Sequence, residues 1–206
     1  DLCVAYTHEE DKLLTLLMAG ADRSVRQVIT QTVGEETGEP PTLLLTPVVA
    51  VLDTIVDTRK LLACLLQQAV DLSIPTILGP LLGIAITSLH YDTAVHQLLA
   101  SNQRLATSGR VGQMLSVVDV DADNCTPLHI FMQTRHALPD NDHRAYTTTM
   151  ALLNAGVAMD AIDDDGYRAI EHAVDMPFTS IGPLFALIRA GVDMTYVPRS
   201  AHGERS

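Results

Sequence analysis

The chain has 206 residues, 47% of them apolar but only 4% aromatic and none tryptophan, with a formal net charge of −12. That length allows one domain or a short repeat array, and a core of Leu, Val, Ala and Ile suits packed helices. So negative a surface repels nucleic-acid phosphates, which argues against direct DNA or RNA binding and for a protein partner with a basic or apolar surface.

In chain order, Asp1-Leu2-Cys3-Val4-Ala5 reads as the middle of a helix, so a fragment of a longer polypeptide is expected. A helix end follows at Leu16-Leu17-Met18-Ala19-Gly20-Ala21-Asp22, then a long connection from Arg23 to Pro41. Thr46-Pro47-Val48-Val49 predicts a helix start, since Thr caps free N–H groups and Pro fits a first turn. Leu65-Leu66-Gln67-Gln68-Ala69-Val70-Asp71 is a weaker helix end. Leu72 to Leu89 carries no charge, but a membrane span needs about 20 apolar residues. Pro75, Gly79, Pro80 and Gly83 interrupt this one, so a loop and a buried helix opening at Pro80 are expected, with no membrane insertion.

Leu98-Leu99-Ala100-Ser101-Asn102 predicts a further helix end, with Asn102 as the left-handed residue. Ala106 to Val118 reads as a second long connection. A third helix start, Thr126-Pro127-Leu128-His129, follows the acidic run Asp119 to Asn124. Extra residues, Arg135 to Arg144, separate it from the helix ending Leu152-Leu153-Asn154-Ala155-Gly156-Val157. Asp163-Asp164-Asp165-Gly166 is a turn signal. It opens a helix at Arg168-Ala169-Ile170-Glu171, and Leu187-Ile188-Arg189-Ala190-Gly191-Val192-Asp193 closes the next.

The Asp121–His129 run, followed by Leu152–Gly156, resembles an ankyrin repeat: a turn, a Thr-Pro-Leu-His helix start and a second helix ending in Gly. The resemblance covers most of the chain, strongest over 119–195, and implies five repeats at about 1–32, 42–74, 76–106, 119–162 and 163–195, with a polar tail over 196–206. The implied fold is an all-α solenoid of stacked helix-turn-helix units with projecting turns. The implied role is a non-catalytic scaffold, or a regulatory segment of a larger transcription regulator, effector or enzyme. By resemblance, the partner lies across turn tips and first helices at Asp123, Cys125, Gln133, Thr134, Asp164, Asp165, Tyr167 and Asp175, with Tyr167 the preferred hot spot. His129 would be a hydrogen-bonding strut between neighbouring turns. Insertions are alternative binding faces, and an end lacking a polar cap is open to self-association.

Other chemistry fits less well. Asp119–Asn124 mimics the start of a calcium loop, but Ile130 stands where a closing Glu is needed. Cys3, Cys64 and Cys125 lie far apart and pair with no His at zinc spacing, the pattern of reduced thiols in an intracellular protein. Cys125 reads as a surface turn residue rather than a nucleophile. Neither a phosphate-binding Gly-Lys-Ser/Thr loop nor a nucleophile elbow is present, so no cofactor and no catalysis are expected. Asp160, Asp163, Asp164, Asp165, Glu171 and Asp175, opposed by Arg168, read either as a solvated turn or as an acidic lip that steers a basic partner.

Overall fold

The computed structural model describes residues 27–30, 42–45, 47–52, 59–67, 70–73, 79–88, 90–134, 142–175 and 181–195. The Leu16–Asp22 helix end, most of the Arg23–Pro41 connection, His136 and the 196–206 tail lie outside them. The chain forms two compact units, 1–115 and 116–206.

The described residues of the first unit begin with an antiparallel strand pair, β1 (Gln27–Thr30) and β2 (Thr42–Leu45), with Gln27 opposite Leu45 and Thr30 opposite Thr42. The described residues are otherwise mainly helical, as expected, and this pair is an addition. Val28, Ile29, Thr30 and Thr42 are β-branched and favour an extended, pleated backbone. Helices α1 (Pro47–Leu52), α2 (Arg59–Gln67), α3 (Leu81–Thr87) and α4 (Tyr91–Thr107) follow, then a 3-10 turn at Val111–Gln113. α2 packs on α1 and α4, and α3 on α1 and α4. Val49, Leu65, Leu82, Ile86, Val95 and Leu98 form the centre of this core. Leu81 to Ile86 are all buried, so α3 has almost no face for water and needs no charge. Among the described residues no helix is long and apolar enough to cross a membrane.

The helix end expected at Asn102 is corrected. α4 runs on to Thr107 and closes at Gly109 (φ 74°), where Gly109 N–H donates to the Ala106 carbonyl and Arg110 N–H to that of Leu105. Asn102 is buried inside the helix, and its side chain clamps the following segment. Its Oδ1 accepts from Leu115 N–H at 2.7 Å, and its Nδ2 donates to the Leu115 carbonyl at 3.2 Å. The Ala106–Val118 connection is therefore tethered to α4. Leu72 N–H adds a bond to the Gln113 carbonyl at 3.0 Å.

The second unit holds α5 (Pro127–Gln133), α6 (Asp142–Asn154), α7 (Ala169–Asp175) and α8 (Ile181–Ala190). α5 packs on α7 and α6 on α8, so one helix pair stacks on the next. Phe131, Leu128, Met132, Leu152 and Leu187 lie at its centre. α6 and α8 end alike. Gly156 (φ 94°) and Gly191 (φ 88°) leave through the left-handed region, each followed by a valine whose N–H reaches back to a helix carbonyl. These ends lie 191 − 156 = 35 residues apart. The aspartates that open the two preceding turns lie 163 − 121 = 42 apart, so seven extra residues fall between the end of α5 and Tyr146, the α6 residue that matches the start of α8. Part of the expected insertion is helix, because α6 begins at Asp142. The Asp142 carboxylate accepts from Gly182 N–H at 2.6 Å, joining the starts of α6 and α8.

Candidate interaction site

Two equivalent turns lead into α5 and α7. In the first, Asp121 Oδ1 accepts from Asp123 N–H (3.0 Å) and Cys125 N–H (2.8 Å), while Asp121 N–H donates to the Cys125 carbonyl (3.1 Å). Asn124 takes φ 58°, a conformation Asn tolerates. In the second, Asp163 Oδ1 accepts from Tyr167 N–H (2.8 Å), Asp163 N–H donates to the Tyr167 carbonyl (2.9 Å), and Gly166 takes φ 86°. The tips are bonded side by side. Asp164 N–H donates to the Asp123 carbonyl at 3.2 Å, and Asn124 Nδ2 to that of Ile162 at 3.2 Å. Asp123, Asp164 and Asp165 are thereby held exposed along one edge.

Beneath the tips, His129 bridges the two turns. Its Nδ1 accepts from Thr126 N–H at 3.1 Å, which leaves the ring proton on Nε2, 3.1 Å from the Tyr167 carbonyl. Thr126 caps α5 in return, through its hydroxyl and the His129 N–H. The ring is fully buried. Burial pushes the His129 pKa below its usual value, against the opposing pull of the Tyr167 carbonyl and the Asp163 carboxylate.

His172, on α7, carries no assignment in the sequence reading. Its Nε2 lies 2.6 Å from Asp163 Oδ2, and its ring sits 5.8 Å from that of His129 and 5.6 Å from that of Tyr167. Burial alone would raise the Asp163 carboxyl, but the His172 bond, the Tyr167 N–H and the nearby imidazoles outweigh it and hold its pKa below the ordinary value. Gln133 Nε2 lies 3.3 Å from the same His172 nitrogen. With that nitrogen's proton committed to Asp163, both atoms are donors, so this is a packing contact.

Three further expectations change. Asp163 is buried and belongs to the turn's internal bonding, not to a solvated lip. Arg168 is buried too, so it is no surface counter-charge. Its guanidinium lies 2.6 Å from Glu171 Oε1 and 2.7 Å from the Asp193 carbonyl, with Asp160 at 3.5 Å. The Glu171 hydrogen bonds raise its pKa further. Cys125 is buried rather than a surface residue, because its N–H and carbonyl are both tied to Asp121, which fixes the backbone with the thiol beneath the tip. Burial first, then the carboxylate of Asp121 with those of Asp163 and Asp123, pushes the thiol up to about 11 against the Gln133 contact. A thiol protonated at neutral pH is a poor nucleophile.

Of the other candidate residues, Gln133 is exposed, Tyr167 is half-buried against His172, and the Thr134 hydroxyl donates to the Phe131 carbonyl at 2.8 Å, finishing α5. Asp175 is the last residue of α7. The Asp121 carboxylate, a candidate calcium ligand by sequence, is engaged by backbone N–H groups. Among the described residues no group of three or more His, Cys, Asp or Glu side chains could hold a metal ion. No family model matches the chain, and no curated protein is detectably similar to it.

Proposed function

We propose that this chain is a non-catalytic protein-interaction scaffold, built from ankyrin-type repeats, that binds a basic partner along its acidic turn tips. The observation that carries this reading is the lateral bonding of two equivalent turns, through Asp164 N–H to the Asp123 carbonyl and His129 to the Tyr167 carbonyl. Such bonding fixes the spacing of the exposed Asp123, Asp164 and Asp165 carboxylates without any contribution from their side chains. A rigid row of like charges raises association rates and selects partners of opposite sign more than it adds affinity. The burial of Arg168 favours the reading, because no cation of that helix start neutralises the row.

Tyr167 serves the reading differently from a free hot spot. Its ring rests on His172, which holds the turn's Asp163, so Tyr167→Ala would perturb folding and binding together. The carboxylates separate the two effects. Asp123→Lys, Asp164→Lys and Asp165→Lys together leave the turn's backbone bonds in place. Proteins captured by the native chain at low salt and lost by this variant, with unchanged melting, support the reading. Capture of the same proteins by both chains at every salt concentration refutes it.

A further inference from the structure

The two imidazoles beneath the turn tips use their nitrogens in opposite ways. His129 joins the turns with one nitrogen as acceptor and the other as donor: Nδ1 takes the Thr126 N–H, and Nε2–H reaches the Tyr167 carbonyl across the joint. The Thr126 hydroxyl lies 2.8 Å from the same Nδ1. A proton placed on Nδ1 can turn to that hydroxyl, but it leaves the buried Thr126 N–H facing another N–H. It also puts a charge on a ring that is fully buried. His172 differs. Its Nε2–H donates to Asp163 Oδ2 at 2.6 Å, and a proton added on Nδ1 leaves that bond in place. The groups around His129 do not offset the cost. Asp163 of the second turn favours a charge on the ring, whereas burial and His172 of α7 oppose it, and burial is the largest of the three. The Asp121 and Asp123 carboxylates of the first turn act on Cys125, and Glu171 of α7 is engaged by Arg168. Helix α6, which also packs on α5, directs Asp142 and Tyr146 to α8 and leaves His143 and Arg144 exposed.

We propose that His129 is a proton-sensitive latch: in mildly acidic solution the first turn lets go of the second, while the second turn keeps its own bonding. Besides the His129 strut, the joint is crossed by Asp164 N–H to the Asp123 carbonyl and by Asn124 Nδ2 to the Ile162 carbonyl. Both lie at the exposed tips, where water can replace them, so the buried strut decides whether the turns stay joined. Opening is confined to the first turn and the start of α5, since Phe131 and Met132 further along that helix stay in the core. Once open, the imidazole titrates at about 6.5, and each pH unit below that favours the open form about tenfold. The open latch frees Asp123 and Asp164 from their fixed spacing. The latch belongs to the joint itself and holds whether or not the acidic row binds a partner.

Amide hydrogen exchange of the full 206-residue chain tests this at pH 7.5 and pH 5.0, with protection corrected for the intrinsic rate at each pH. The expected result is a loss of protection of about thirtyfold at Thr126 and Asp164, from the roughly 1.5 pH units spent below 6.5. Because the opening is local, this exchange is expected to be unchanged by about 1 M urea. It is also expected to be faster than exchange at Leu152 in α6, which awaits global unfolding. His129→Asn supplies an acceptor for the Thr126 N–H in place of Nδ1 but does not titrate, and is expected to lose less than about threefold. His172→Gln keeps a donor for Asp163 and is expected to lose as much as the native chain. The proposal is overturned by equal protection at the two pH values, by a loss that follows urea and matches Leu152 in rate, by a loss that persists in His129→Asn, or by one that His172→Gln abolishes. If His129→Asn fails to fold, the urea dependence of the native chain and the His172→Gln result decide the matter.

Discussion

Replacing His129 with alanine should cost the second unit about 3–4 kcal/mol. The ring is fully buried, its Nδ1 is the acceptor for the Thr126 N–H, and its Nε2–H reaches the Tyr167 carbonyl. The Thr126 hydroxyl still caps the backbone N–H of position 129, so that half of the capping box survives. The stranded Thr126 donor adds about 1–2 kcal/mol. The Tyr167 carbonyl keeps its bond from Asp163 N–H, so it is not orphaned and the strut itself contributes only about 1 kcal/mol. The vacated volume supplies the rest. Urea denaturation at pH 7.5, read by circular dichroism together with hydrogen exchange at the Tyr167 amide, measures the loss. A cost below about 1 kcal/mol would show that the turns hold together without the imidazole, and would refute the argument that His129 couples them. The same residue sets a pH dependence. Because its folded pKa lies below the ordinary imidazole value of 6.5, the unfolded chain takes up a proton that the folded chain refuses. Stability therefore holds above pH 6.5 and falls as pH drops through that value, by at most about 1.4 kcal/mol per pH unit for one proton. His129→Ala should flatten this slope. Asp163, lowered from 3.8, adds a second loss below pH 3.8 in both chains, since its carboxylate is bonded only in the fold.

Other expectations follow from single contacts. Asn102→Leu breaks both bonds to Leu115 and leaves its buried N–H and carbonyl unmatched, so thermal melting should show a loss of about 2–3 kcal/mol in the first unit. Gly182→Ala drives a Cβ into the Asp142 carbonyl oxygen and against Tyr146, and should cost about 1–3 kcal/mol in urea unfolding. With iodoacetamide at pH 8, Cys125 should react much more slowly than Cys64. It is buried with its thiol held at about 11, and equal rates in peptide mapping would contradict that placement.

The second unit was legible wherever a local signal carried the structure. Thr126-Pro127, the Asp-Gly turn at 165–166 and the glycines at 156 and 191 each act through their own backbone geometry, so their roles follow from residue type. What escaped depends on partners far along the chain. Asn102 looks like a helix end because the four residues before it match that pattern, but its amide is committed to Leu115, and the true end comes at Gly109. His172 carried no signal because its bond to Asp163 exists only once the turn has folded back over α7. The polarity of their neighbours marks Cys125 and Arg168 as surface residues, whereas the folded turns bury both. Short apolar runs such as Val28-Ile29 and Leu43-Leu44-Leu45 do not distinguish strand from helix by pattern alone.

The seven-residue difference between the two registers has a practical meaning. The two helix pairs are aligned by the turn-to-turn bonds and by α6 against α8, rather than by the span between α5 and α6. That span can differ in length from one layer to the next while the stacking stays the same. A tag, an epitope or a protease site inserted between Thr134 and Asp142 would leave the turn-to-turn bonds and the packing of α6 on α8 in place.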